Sequence, residues 1–229
     1  MPAIPFMPAT HFTPALFRFL ADLKRHNDRA WFQSNRERYE SAVRLPLLRF
    51  IADLAPLLRK TSRQFEADPS PVGGSMFRIH RDTRFSKDKS PYKTHAAAHF
   101  RHRASRDDVH TPGFYLHLEP GRSFAAAGLW RPEAASLKKV RDAIVRQPGK
   151  WRQARAGLAL EGETLKRPPR GYDAEHPHLE DLKRKDFVTT VSFRESEVCS
   201  SGFLRRYAEA CHHMGPLVAF LTRGLGLPW

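Results

Sequence analysis

The stretch GFYLHLEPGRSFAAAGLW, Gly113 to Trp130, decides the fold. It holds two short runs, GFYLHLEP and SFAAAGLW, joined through Pro120–Gly121, and a second Pro–Gly pair, Pro112–Gly113, stands where the first run begins. Short runs bounded by turn chemistry read as β-strands. Connections this short leave no room for a crossover helix, so neighbouring strands are expected to run antiparallel as a meander. SMFRI, from Ser75, and YKTHAAAHFRH, from Tyr92, extend the pattern towards the amino terminus. The expectation is an antiparallel sheet of about four or more strands between Ser75 and about Pro132.

On both sides of that centre the apolar period changes to that of a helix. TPALFRFLADLKRHN offers Thr13 as N-cap and Pro14 at the first helical position, where its missing N–H costs nothing. Phe17, Leu20 and Lys24 follow at helical spacing, widened by Phe19 and Leu23. A second helix is expected from the Asp28 cap through RAWFQSNRERYESAV, and a third over LPLLRFIADLAPLLRKTSRQF with a kink at Pro56. EADPSPVGG breaks the pattern before the strands begin. After them, PEAASLKKVRDAIVRQ places Leu137, Val140, Ile144 and Val145 on one face. A last helix is expected from about Ser200 or Ser201 through FLRRYAEACHHMGPLVAFLTRGL, ended by Gly224 and Gly226. Helices, then a sheet, then helices amount to an α+β chain. The expected organisation is a single domain over residues 1–229, with a flexible segment at 1–12.

A chain of 229 residues with 41% hydrophobic and 11% aromatic residues is long and apolar enough to bury a core. Its formal net charge of +15 favours acidic partners: nucleic acid, an anionic membrane surface or phosphorylated small molecules. Two cysteines, Cys199 and Cys211, cannot build a disulfide scaffold. No apolar run approaches the length of a membrane span and no signal peptide is legible, so a cytoplasmic protein with no membrane partner is expected.

The charge is concentrated. FRIHRDTRFSKDKSPYKTH, Phe77 to His95, holds three arginines, three lysines and two aspartates. Arginine forks grip phosphate or carboxylate through paired hydrogen bonds. If 75–81 is extended, Arg78 and His80 point to one side and Ile79 and Arg81 to the other. The chain then turns through 82–89, carrying Arg84, Lys87 and Lys89, and Pro91 directs Tyr92 into the next strand. The alternative reading is internal: Asp82 and Asp88 neutralise Arg78, Arg81 or Arg84 and tie the hairpin together.

RIHRDTRFSKDKSPYKTH resembles the signature of an uncharacterised, mainly bacterial family of about this length, domain-of-unknown-function family 2461. The matching positions are Arg78, Arg81, Asp82, Arg84, Phe85, Asp88, Lys89 and Tyr92. WFQSNRERYE, PGFYLHLEPG, AGLWRP and LKRPPRGY…HP extend the resemblance over most of the chain. It implies no particular activity, so function rests on the residues.

Three readings follow. In the first, Arg78, Arg81, Arg84, Lys87, Lys89 and Lys93 bind a phosphate-bearing ligand, a nucleotide or a nucleic-acid backbone. Asp82, Asp88 and Tyr92 share that site, and Arg167 and Arg170 close over it from the loop LKRPPRGYDAEHPH. In the second, the chain is an enzyme acting on a phosphorylated or carboxylated small molecule, with Asp82 or a nearby histidine as acid or base. In the third, the Arg/Asp motif only braces the fold.

No cofactor is implied, and no metal site is expected. His80, His95, His99, His102, His110 and His117 are crowded together. On a strand, however, His95 and His99 lie about 13 Å apart, too far to share an ion. Trp31, Asn35 and Tyr39 recur at helical spacing as an aromatic stripe of core type, with Asn35 either lining the site or capping a loop. Trp130 is expected to pack in the core, with stacking on a ligand as the alternative. The sequence leaves the oligomeric state open.

Overall fold

The computed structural model describes residues 10–105 and 110–229. The amino-terminal helices are α1 (Pro14–Arg25), α2 (Arg29–Ser34), α3 (Arg36–Tyr39) and α4 (Leu45–Thr61). Then come β1 (Ala96–Arg101), β2 (Gly113–Leu118) and β3 (Ser123–Leu129). The remainder is α5 (Ala134–Arg146), α6 (Pro148–Ala154), α7 (Leu179–Leu182), β4 (Phe187–Phe193), α8 (Glu195–Val198) and α9 (Phe203–Gly224). The chain is α+β: one antiparallel sheet in the order β1-β2-β3-β4, flanked by helices. No described helix is long and apolar enough to cross a membrane.

Local chemistry accounts for the helix starts. Thr13 caps α1 with Pro14 in its first turn, and Asp28 caps α2 by accepting from the Trp31 N–H at 2.9 Å. The inward face of α1 is Leu16, Phe17, Phe19, Leu20 and Leu23; Lys24, expected on that stripe, is exposed. The second expected helix breaks at Asn35, whose side-chain amide donates to the Trp31 carbonyl at 2.9 Å, and a π-helical turn at Glu40–Arg44 leads into α4. Asn35 therefore shapes a helix junction, and its neighbours Trp31 and Tyr39 pack on Phe19. Helix α4 runs through Pro56.

Three expectations about elements need correction. SMFRI is not a strand. Residues 75–77 touch the free edge of β1, with His99 N–H donating to Ser75 O at 2.8 Å and Phe77 N–H to Ala97 O at 2.9 Å. The chain then leaves that edge and folds back on itself, so that Arg81 N–H donates to Pro91 O and Lys93 N–H to Ile79 O. The fourth strand is instead FVTTVSF at 187–193, which pairs with β3 over its whole length. In α5 the buried positions are Val140, Ala143 and Ile144, whereas Val145 faces outward, one residue beyond the stripe.

The last helix carries most of the packing. Over its 22 residues α9 buries Phe203, Tyr207, Cys211, Met214 and Val218 against the amino-terminal helices and the sheet. Its Leu217, Phe220 and Leu221 pack a second cluster with Trp151, Leu182 and Phe187. Gly202 stands at its start, and Leu225 then Gly226 (φ 85°) follow its end.

Of the expected flexible segment, residues 1–9 lie outside the described residues. Phe12 is fully buried, 5.3 Å from the Phe50 ring and 5.9 Å from Phe203. Phe203 also meets Phe193 of β4 edge-on at 5.2 Å, so one side chain joins the amino-terminal helices, α9 and the sheet. Phe203→Ala is expected to cost about 3–5 kcal/mol, the usual loss for a deleted buried aromatic ring. Phe85→Ala, at a position 95% exposed, is expected to leave the melting temperature unchanged. Parallel thermal melts of the two variants check both outcomes.

Candidate functional site

Side chains alternate across a strand, so the sheet has an inner face under the helices and an outer one. The pairing register aligns the outer face in three rows. The first is Ala97–His117–Phe124–Ser192, the second His99–Tyr115–Ala126–Thr190, and the third Arg101–Gly113–Gly128–Val188. Small residues at Ala97, Ala126, Gly113 and Gly128 lower the floor, and a cleft of about 920 Å³ opens over the sheet. Its walls stand on the two sheet edges. Phe77 and Lys93 rise beside β1, and Glu161, bridged to Val188, rises beside β4.

Two glycines are needed for this shape. A Cβ on Gly128, at φ 132°, would stand 1.9 Å from the Phe187 carbonyl oxygen, where the β3–β4 backbones close together. A Cβ on Gly113 would stand 2.5 Å from His99 Nε2, so the imidazole occupies the space that the glycine leaves.

At one end of the cleft polar groups form a chain. The Tyr115 hydroxyl lies 3.0 Å from His117 Nδ1, and His117 Nε2 lies 3.2 Å from Glu119 Oε2. A carboxylate only accepts, so in neutral His117 the hydrogen is on Nε2 and Nδ1 accepts from the tyrosine. His95 packs its ring 4.4 Å from that of His117, and the Phe124 ring stacks on His117 at 4.7 Å.

Burial sets the charge state of these groups. It pushes His95 down to about 4, helped by His117, and it pushes His99 down to about 4, helped by the Arg101 charge. His117 is also lowered, chiefly by burial, and Tyr115 is raised to about 12 for the same reason. The cleft therefore presents neutral imidazoles and a neutral phenol at pH 7.

Two cations stand among them. Lys93 and Arg122 both line the cleft, and the charges of both act on His95. Lys93 Nζ donates to the Arg78 carbonyl at 2.7 Å, and the Arg122 guanidinium lies 5.6 Å from the centre of the Phe124 ring. Among the described residues neither has a carboxylate within ion-pairing distance. Glu119 is engaged by His117 and by the Thr94 hydroxyl.

At the other end Asp186 accepts from the Arg131 N–H at 2.7 Å and the Glu163 N–H at 3.3 Å, which holds Arg131 at its positive φ of 47°. Trp130, expected in the core, is 53% exposed at the cleft mouth, with the Arg131 guanidinium 4.9 Å from its ring centre. Among the described residues no group of three or more His, Cys, Asp or Glu side chains is placed to hold a metal ion.

The basic motif is divided by this geometry. Of its cations only Lys93 lines the cleft. Residues 81–90 extend as a loop whose acids are used within it: Arg81 pairs with Asp88, and Arg84 grips both oxygens of Asp82, its Nη2 at 2.7 Å. Hydrogen bonds from Arg84 hold Asp82 at about 2, well below the usual carboxylate range. Lys89 donates to the Thr83 carbonyl at 3.0 Å. Arg78 and Lys87 are exposed and have no ion pair among the described residues. Tyr92 is buried, stacked 4.1 Å from Phe32. Arg167 and Arg170 are exposed and line no part of the cleft; Tyr172 of their loop is anchored instead to Asp142 of α5 at 2.8 Å.

Tyr115, Glu119, Arg122 and Phe124 carry no part in the sequence reading of the site. The signal for the first two was present: Tyr115, His117 and Glu119 alternate along GFYLHLEP, and alternate residues of a strand share a face.

The family described as Conserved hypothetical protein (DUF2461) matches residues 15–220, and the chain belongs to that family. Neither the curated proteins nor the solved structures contain a match to it.

The buried imidazoles make stability depend on pH. Folded His99 stays neutral down to about 4, while an unfolded histidine titrates near its ordinary value of about 6.5. Between those values the unfolded chain binds more protons, so stability is lost as pH falls through that window. The loss is about 1.4 kcal/mol per pH unit for a group of this kind. The expected result is a melting temperature that falls by on the order of 5 °C between pH 6.5 and 4.5. His99→Gln should reduce that slope, His95 and His117 carrying the remainder, and equal slopes in the two proteins would remove His99 from the account.

Proposed function

We propose that this member of the family binds a phosphate-bearing small molecule in the cleft over the open face of its sheet. The observation that carries this reading is that Lys93 and Arg122 both line a half-enclosed cleft and that the charges of both reach His95. Burial lowers Lys93, chiefly by desolvation and then through the Arg78 charge, and an anion would relieve that cost. Phe77, Phe124 and Trp130 supply flat apolar surface for the rest of the ligand. A small number of polar groups in a mostly apolar concavity is the usual form of such a site.

This reading moves the anion site from the whole motif 78–93 to its end at Lys93. Asp82 is not the acid in it, because it is ionised at neutral pH and the Arg84 guanidinium occupies both of its oxygens. A second reading has one observation in its favour. Phe85 is 95% exposed on a loop that also carries Lys87 and Lys89, a combination suited to stacking on a base beside a nucleic-acid backbone.

Binding of inorganic phosphate and of a short single-stranded oligonucleotide separates the two. Phosphate at about 100 times its dissociation constant should stabilise the protein by about 2.7 kcal/mol. Lys93→Ala and Arg122→Ala are each expected to weaken phosphate at least tenfold, as loss of a charge-assisted contact worth about 1.5–3 kcal/mol requires. Phe85→Ala and Lys87→Ala should leave it unchanged. Oligonucleotide binding that is lost in the loop variants, with a slope of about −0.7 per contact in log K against log salt, would favour the second reading. Phosphate binding that survives in both cleft variants would refute the first.

A further inference from the structure

The chain Tyr115–His117–Glu119 has the layout of a nucleophile, its base and the group that orients the base. Its distances are 3.0 Å between Tyr115 Oη and His117 Nδ1 and 3.2 Å between His117 Nε2 and Glu119 Oε2. We propose that these residues are a catalytic relay in which the Tyr115 hydroxyl attacks the phosphorus of a small phosphate ester held by Lys93 and Arg122. The proposal rests on the anion-binding reading of the cleft.

The geometry around the relay favours chemistry over bracing. Tyr115 is half-buried and lines the cleft, so its oxygen is reachable from the space that also receives Lys93 and Arg122. Its strand is already held by full ladders on both sides, and the hydroxyl is not needed to secure it. His117 is enclosed by Tyr115, Glu119, the rings of His95 and Phe124, and the charge of Arg122. That setting keeps the imidazole neutral at pH 7, as a base must be. Among the described residues Glu119 is the carboxylate against it, and it sits on the nitrogen opposite the tyrosine, where it stabilises the imidazolium as it forms.

The step balances as follows. A bond forms between Tyr115 Oη and phosphorus while the bond from phosphorus to the leaving oxygen breaks, its electron pair going to that oxygen. The tyrosine proton passes to His117 Nδ1, while the other proton stays on His117 Nε2 and is donated to Glu119 Oε2. An alkoxide leaving group then takes the proton from Nδ1. In the second half a water molecule attacks phosphorus, gives its proton to Nδ1, and the departing Tyr115 oxygen recovers it. Lys93 and Arg122 face the phosphoryl oxygens, where negative charge is carried throughout. Tyr115, normally raised to about 12, is a poor anion alone, so the reaction depends on proton transfer to His117 in the same step.

The test uses the full chain with p-nitrophenyl phosphate as monoester and bis(p-nitrophenyl) phosphate as diester, acid-quenched and mapped by mass spectrometry, with phosphate binding measured on the same samples. The expected result is release of nitrophenolate with a phosphoryl adduct on Tyr115, from one ester or both, which tells which class the cleft accepts. Tyr115→Phe should abolish both signals while melting and binding phosphate like the unaltered protein. His117→Gln should slow them at least tenfold.

Glu119 is a positioning residue, and its readout is a pH profile. Glu119→Gln removes the partner of the imidazolium, so the rate should drop and its acid limb should move to lower pH. Phosphate binding without any adduct or release overturns the relay and leaves the binding site standing. Release that persists in Tyr115→Phe also overturns it. Absence of both phosphate binding and release removes the binding reading and the relay together.

Discussion

One-sided coverage of the sheet is the constraint on which the rest depends. Strands β1, β2 and β3 follow one another as an antiparallel meander, so the helices come from the segments before β1 and after β3. Both ends deliver them to the same side. Helix α9 lies against that inner face and against α4, and its apolar residues face two clusters at once. Phe203 is the meeting point, with Phe12, Phe50 and Phe193 around it. The consequence is an outer face that no described helix covers, which leaves room for the cleft.

That outer face is built differently from a plain solvent face. Its floor is alanine and glycine, its polar groups are histidine and tyrosine, and both of its edges are walled by irregular chain. The walls also protect the sheet, since unpaired edges invite other strands. Partial enclosure then acts on the titratable groups. It removes water from His95, His99 and His117 and suppresses their charge, while Lys93 and Arg122 keep theirs nearby. Neutral bases next to cations that no described carboxylate pairs are the electrostatic character of this cleft.

The loop 81–90 illustrates how sequence charge and structural charge differ. It belongs to the positive cluster of the motif 78–93, yet both of its arginines are spent on its own aspartates. Such exposed pairs contribute little to stability, about 0–1 kcal/mol each, but they fix the loop's shape and withdraw Asp82 and Asp88 from other chemistry. The cation that enters the cleft, Lys93, comes from the last residue of the motif, where the chain returns to the sheet.

Local chemistry made much of the fold legible in the sequence alone. The Thr13 and Asp28 caps, the Pro–Gly turns around β2 and the period of α9 are signals written within a few residues, and each appears where the structure needs it. The α+β class and the antiparallel order of β1, β2 and β3 follow from such signals. Tertiary structure decided what depends on partners far along the chain. Strand β4 joins the sheet from 58 residues beyond the end of β3, counted from Leu129 to Phe187, and its consecutive β-branched residues Val188–Val191 did not declare which edge they would take. SMFRI looked like a strand by composition and became a wall, because only its first residues reach the edge of β1. The site shows the same division: Tyr115, His117 and Glu119 share a face by strand periodicity alone, but Arg122 and Lys93 join them only when a hairpin and a returning loop bring both to one end of the cleft. Spacing along a strand is local geometry, whereas convergence of separate segments exists only once the core has closed.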